Sequence, residues 1–343
     1  MYSLLLAFTL QAGQGSEDWK TAEAVHISNV MQVTEGFERA GEGYFSPDGR
    51  KIIFQAEEKG TGNPFYQIFV MDLQTKKVTR VSPGMGRTTC GYFRPDGKKV
   101  IFASSHGDPD AKKHQEEEIA RRIDDAKKGI RRRYSWAFDP HMKIYEADLD
   151  GTEMKCLTPN ASVYTAEGSY SRDGSKIVYS AGTAGNTNLF IMNADGSGAR
   201  QITKGVKCYN GGPFLSPDGK RVVFRADRKE KDRLQLYVIN ADGTGEKALT
   251  TNDKWVYWAP FWYRDSKHII YTAADHSNEL ARPNYDLYWM NTENGKTTRI
   301  TYAPGQDVLP VFSPDYRRIM WTSSRDGRSP TQLYIADFIP PKE

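Results

Sequence analysis

The residues best placed to do chemistry in this chain precede six short strands. Four positions before each of six turn sequences related to Ser-Pro-Asp-Gly stand Glu42, Cys90, Glu167, Gly212, Ala259 and Leu309. Two of these are carboxylates, and such a pair can share a cation or a cationic side chain, or divide into an acid and a base. Arg39, Arg87, Tyr164, Tyr209, Tyr257, Trp258 and Asp307 lie in the same approaches. Aromatic rings beside charged groups suit recognition of a sugar or a peptide, and they equally suit packing between repeated units. No cofactor is expected from this set. Among the histidines, His106, His141 and His276 have Asp108, Asp110 and Asp275 as neighbours, but no His-x-His pair occurs. A divalent ion held by His106 and His141 is the one metal site the spacing favours. Asp148-Leu149-Asp150-Gly151 has its glycine at position four, where a calcium loop needs position six, so it reads as a hairpin turn.

The elements that must position these residues repeat. SPDGRKIIF at Ser46, RPDGKKVIF at Arg94, SRDGSKIVY at Ser171, SPDGKRVVF at Ser216, YRDSKHIIY at Tyr263 and SPDYRRIMW at Ser313 are copies of one unit, spaced 48, 77, 45, 47 and 50 residues apart. Each is a tight turn closed by a left-handed residue, followed by a β-branched and aromatic strand. A second apolar run follows, as in QIFVMDL, NLFIMNADG and QLYVINADG, and Asp-Gly or Asn-Gly then turns the chain in four copies. A shorter strand ending in Leu-Thr or Ile-Thr completes most units. The apolar runs are continuous rather than alternating, so both faces of the middle strands must be covered. Six such four-stranded units predict an all-β, six-bladed β-propeller over residues 26–340. The last unit lacks an outer strand, and Ile27 to Thr34 has the form of one, so the N-terminal segment is expected to complete blade six.

Turns after the first and third strands of a blade share one face, and the variable connections share the other, where a ligand site is expected. Blade two carries the main departure, an insertion of about 106–140. Ala111 to Lys128 predicts a surface helix with Glu117–Arg121, Glu118–Arg122 and Asp124–Lys128 at i,i+4 spacing. Arg131, Arg132 and Arg133 followed by Tyr134 and Trp136 then form a candidate docking element for an acidic or anionic partner.

Net charge is +4, and residues 112–133, with nine Lys/Arg against five Asp/Glu, account for all of it. That distribution argues against nucleic-acid binding. Met1 to about residue 15 contains the apolar run Leu4–Leu10 and resembles a secretory signal too short to span a bilayer permanently. Cys90, Cys156 and Cys208 make no disulfide framework.

The six in-phase copies resemble the TolB-type propeller repeat, a WD-like repeat of bacterial periplasmic proteins. That resemblance implies the propeller fold and a periplasmic or secreted address. The function expected from the residues and the resemblance together is binding of an envelope protein or polymer on the variable face, without catalysis and without a stable membrane span. The resemblance extends to enzymes containing related propellers, namely oligogalacturonate lyase and the tricorn and prolyl-oligopeptidase classes. No Gly-x-Ser-x-Gly elbow is present, which argues against a peptidase. A carbohydrate-active lyase or hydrolase is the alternative, with Glu42, Glu167, His106 and Arg87 as candidates for acid, base and anion clamp.

Overall fold

The turn that opens each repeat is built around a side-chain hydrogen bond. In blade one Ser46 Oγ donates to Asp48 Oδ1 at 2.6 Å, the Arg50 amide donates to the same oxygen at 3.0 Å, and the Lys51 amide donates back to Ser46 Oγ at 2.9 Å. Gly49 closes the turn at φ +68°. The same serine–aspartate contact recurs at Ser171–Asp173, Ser216–Asp218 and Ser313–Asp315. Ser266 and Tyr316 replace the glycine yet adopt φ +58° and +60°, so the turn geometry outlasts the residue that favours it. In blade five His268 Nδ1 lies 2.7 Å from Asp265 Oδ2, and in blade two Arg94 donates to Asp96.

These turns start six antiparallel four-stranded sheets in a computed structural model that describes residues 15–130, 137–205, 207–278, 280–325 and 330–342. The first strands of the blades are Arg39–Phe45, Thr88–Phe93, Tyr164–Tyr170, Asn210–Leu215, Trp255–Trp262 and Asp307–Phe312. Each touches the first strand of its neighbours, and the last touches the first, so they form a closed inner ring. The chain is a six-bladed β-propeller.

Closure follows the expected route. Ile27–Gln32 pairs antiparallel with Gln332–Phe338, setting Ile27 opposite Phe338 and Gln32 opposite Tyr334. Blade six thus takes one outer strand from the N-terminal side and three from the C-terminal end, which removes an exposed edge. The preceding helix α1 (Gly15–Glu23) ends in Glu23, whose buried carboxylate bonds Arg325 of blade six.

The second strands supply the core. Ile52, Ile53 and Phe54 are all fully buried, as are Val222, Val223 and Phe224, because successive side chains point into opposite blade–blade interfaces. The insertion in blade two forms helix α2 (Ala111–Lys127). It buries only Ala111 and Asp125 and lies against blade one, where Arg122 donates to Glu57 and to the Pro64 carbonyl, and Gln115 accepts from the Gly86 amide.

Candidate functional site in the central channel

Every first strand carries a β-bulge at the same place. Pairing with the second strand shifts register around Glu42, Cys90, Glu167, Gly212, Ala259 and Leu309. All six adopt left-handed φ, between +40° and +59°. Five are not glycine, and each such residue costs roughly 1–3 kcal/mol of backbone strain. The next residue is Gly43, Gly91 or Gly168 in the first three blades and Pro213, Pro260 or Pro310 in the last three. Proline suits a bulge because no ladder partner awaits its missing N–H. A side chain at Gly43 would begin 2.8 Å from Leu333 Cδ1, so close blade approach would force the neighbouring side chains to shift.

The bulge turns the amide of the left-handed residue toward the preceding blade. Glu42 N–H donates to Thr322 Oγ1 at 3.0 Å, Leu309 N–H to Thr272 Oγ1 at 3.1 Å and Cys90 N–H to Gln55 Oε1 at 3.4 Å. Thr322, Thr272 and Gln55 occupy one repeat position, the fifth residue of the second strand. In blade four that position is Arg225, which cannot accept a hydrogen bond.

Arg225 organises the channel. Its Nη2 lies 3.0 Å from Glu167 Oε2 and 2.8 Å from the Tyr209 hydroxyl, and its guanidinium lies near the rings of Tyr209 and Trp258. Glu167 also accepts from the Tyr209 hydroxyl at 2.7 Å, from the Tyr164 hydroxyl at 3.1 Å and from the Gly212 amide. Glu42 accepts from the Tyr44 hydroxyl at 3.1 Å, with the Cys90 thiol 3.7 Å from its other oxygen. Burial pushes the Glu42 carboxyl above its ordinary range; Arg225 opposes that shift and Glu167 adds to it. Burial, reinforced by Glu42 and Glu167, pushes the Cys90 thiol well above its ordinary value, so Cys90 is a neutral thiol rather than a nucleophile. Arg225 stays protonated, because Tyr209, Glu167 and Glu42 outweigh its desolvation.

Two residues past the bulge, aromatic rings meet across the axis. Tyr44 and Tyr92 lie 4.9 Å apart, Phe214 and Phe261 5.0 Å, and Tyr44 and Phe214 5.8 Å between centroids. They floor the polar cluster. Beyond the insertion, Phe138 sits edge-on to Tyr164 and Tyr209, at 5.1 and 6.0 Å. The recess is therefore apolar below and aromatic-edged above, with one cation and two carboxylates between.

The TolB beta propeller domain family matches residues 138–286. A TolB candidate from Agrobacterium tumefaciens is similar over 92% of this chain and 98% of its own, at 15% identity and TM-score 0.59. The chain has the fold of a TolB-like β-propeller. It is also similar to TolB from Acinetobacter baumannii, at 17% identity and TM-score 0.53 over 89% of this chain, and spans 64% of that protein. An oligogalacturonate lyase from Vibrio parahaemolyticus shares 14% identity at TM-score 0.53, covering 90% of this chain and 93% of its own. At these identities the likenesses establish the fold.

In this propeller Glu42, Cys90, Glu167, Tyr164 and Tyr209 come together around Arg225, which sequence reading did not single out. The signal was there: a lone arginine following Val-Val-Phe at a position where the other blades carry Gln55, Ala103, Ser180, Thr272 and Thr322. Arg39 pairs with Glu57 at 2.9 Å and lies over Tyr66, and Arg87 lies over Phe65 at 3.7 Å. Tyr257 packs with Trp255 and Tyr271, and Trp258 with Tyr285.

Asp307 departs from the expected role at the mouth. It is 1% exposed, accepting from the Trp321 indole at 2.8 Å, from Ser323 and from Arg325 at 2.8 Å. Arg325 also contacts Glu23, which caps the Tyr302 and Ala303 amides at 2.7 and 3.0 Å. Asp307 is thus part of the lock between α1 and blade six. The two histidines expected as a pair also part. His106 Nδ1 lies 2.9 Å from Ser104 Oγ, with its ring against Tyr145, whereas His141 groups with Asp108 and Asp139. His276 meets the Tyr285 hydroxyl at 2.8 Å. Arg131, Arg132, Arg133, Tyr134 and Trp136 lie outside the described residues, as does the apolar run Leu4–Leu10.

Proposed function

We propose that this TolB-like propeller is an exported, non-catalytic protein that binds an envelope protein or polymer on its variable face, at the mouth of the central channel. The observation that carries this reading is how the channel charges are spent. Glu167 is held by Arg225, Tyr209, Tyr164 and the Gly212 amide, so among the described residues the carboxylate nearest Glu42 in this cluster is already engaged and is not a free base. A rigid polar recess edged by Trp258 and Phe138 suits recognition better than proton transfer. Among the described residues no helix is long and apolar enough to cross a membrane. The basic run at 131–133 remains the proposed second contact for an acidic partner.

The test is affinity capture from a cell-envelope fraction with three forms of the chain: unaltered, Trp258→Ala with Glu42→Gln, and residues 107–139 replaced by a short Gly-Ser link. A single partner recovered by the first form and lost from either altered form, at unchanged melting temperature, supports the reading. Equal recovery by all three overturns it.

The second reading is a lyase acting on an acidic polysaccharide. It is favoured by the Glu42 carboxyl, which burial shifts toward the neutral form a general acid requires. Glu167, His106 and Arg87 would then be base and anion clamp, although Glu167 is fully engaged and His106 lies against Tyr145. Formation of unsaturated product from polygalacturonate, with and without manganese, and its loss in Glu42→Gln, would decide for this reading over the first.

A further inference from the structure

The insertion in blade two enters and leaves through one cluster of side chains. Asp108 precedes α2, His114 lies in its first turn, and Asp139 and His141 lie on the return to the third strand, Lys143–Asp148. The Asp108 side chain is only 2% exposed. Its Oδ1 accepts from the Asp110 amide at 2.9 Å, but its buried Oδ2 receives no hydrogen bond. His114 Nδ1 approaches Oδ2 to 3.0 Å without closing one. His141 Nδ1 lies 3.5 Å from Asp108 Oδ1 and 3.5 Å from Asp139 Oδ1.

A buried carboxylate oxygen without a donor costs free energy unless a cation meets it. Asp108, Asp139 and His141 each offer a ligand atom within 4.8 Å of the other two, the spacing of donors sharing one ion. Two ligand atoms each about 2.1 Å from a metal stand about 3.0 Å apart at a right angle and about 3.4 Å apart at the tetrahedral angle. An imidazole with two carboxylates suits a zinc-class divalent ion better than magnesium or calcium, which prefer all-oxygen shells.

We propose that Asp108, Asp139 and His141 bind one zinc-class divalent cation that staples the insertion to blade two. The fold gives such a staple a purpose. Helix α2 buries almost no apolar surface, and it meets blade one through the Arg122–Glu57 ion pair and hydrogen bonds of Arg122 and Gln115 rather than apolar packing. A metal joining residue 108 to residues 139 and 141 would close the excursion at its base. It would thereby fix Phe138 against Tyr164 and Tyr209 over the channel. The site is distinct from the channel cluster, so its test does not depend on what the channel binds.

The experiment uses the full chain without an affinity tag, stripped with chelator and titrated with Co²⁺ and then Zn²⁺. The expected result is one equivalent of Co²⁺ with intense visible bands of four-coordinate geometry, displaced by one equivalent of Zn²⁺, and a melting temperature that rises with zinc concentration. Asp108→Asn and His141→Ala should each weaken binding at least tenfold. His141 is half exposed, so its variant carries the comparison should Asp108→Asn fail to fold. Absence of stoichiometric metal in the unaltered chain, or wild-type affinity in the folded variants, overturns the proposal.

Discussion

Replacing Arg225 with methionine tests whether the channel is a paired charge cluster. The substitution keeps an unbranched apolar stem and removes the cation, leaving Glu167 at 6% side-chain exposure with Glu42 close by. Breaking a buried ion pair from one side costs about 3–5 kcal/mol. Proton uptake sets a ceiling on that cost. Neutralising one ordinary carboxylate of pKa about 4.3 costs about 3.7 kcal/mol at pH 7 and about 1 kcal/mol at pH 5. Glu167 keeps its bonds from Tyr209, Tyr164 and the Gly212 amide, which favours the lower end of the range. The expected loss is therefore roughly 3 kcal/mol at pH 7, falling to roughly 1 kcal/mol at pH 5. The sign follows from linkage: a carboxylate whose folded-state pKa is raised stabilises the fold at low pH and ceases to do so as pH rises. Urea unfolding followed by tryptophan fluorescence at the two pH values measures both figures. Glu167→Gln combined with Arg225→Met should recover most of the loss at pH 7. A loss below 1 kcal/mol at pH 7, a loss independent of pH, or a double variant no better than the single one would refute the paired-cluster account.

Two further outcomes follow from the fold. Deleting residues 26–34 removes the outer strand of blade six and the burial of Ile27 and Val33, each worth roughly 1.5–3 kcal/mol, besides ladder hydrogen bonds of about 1 kcal/mol each. The melting temperature should fall by at least about 5 °C, and the freed edge Gln332–Phe338 should promote self-association in light scattering; an unchanged melting temperature would contradict the closure. Asp286 is buried with Arg299 on one oxygen and no donor on the other, and burial raises its pKa from 3.8 to about 6. Its folded-state pKa is raised, so its contribution is present below pH 4 and lost as pH rises through about 6. The stability difference between Asp286→Asn and the unaltered chain should therefore move in favour of asparagine by up to about 3 kcal/mol between pH 4 and pH 7. Parallel pH profiles for the two proteins would contradict it.

The repeats carried the architecture because their signals are local. A serine–aspartate turn closed by a left-handed residue fixes a hairpin wherever it stands, and continuous apolar strands need cover on both faces. Six copies in phase therefore specify six blades, and the orphan outer-strand sequence at Ile27–Thr34 specifies the closure. Even the bulge ring left a trace, in Gly43, Gly91 and Gly168 and in Pro213, Pro260 and Pro310. Counting back from the turns was enough to find Glu42, Cys90 and Glu167. Position within the repeat could not say how their charges are settled, because the settling partner comes from another blade. Arg225 lies 58 residues from Glu167, and only closing the ring brings its guanidinium to that carboxylate. Asp307 looked like a mouth residue until Trp321, Ser323 and Arg325, from the neighbouring strand of its own blade and the loop after it, enclosed it. Spacing was no better a guide to His141, whose partners Asp108 and Asp139 are set by the path of the insertion rather than by spacing to His106. Turn and strand chemistry act between neighbours along the chain and can be read there. Charge compensation in a channel acts through space, so tertiary structure decides it.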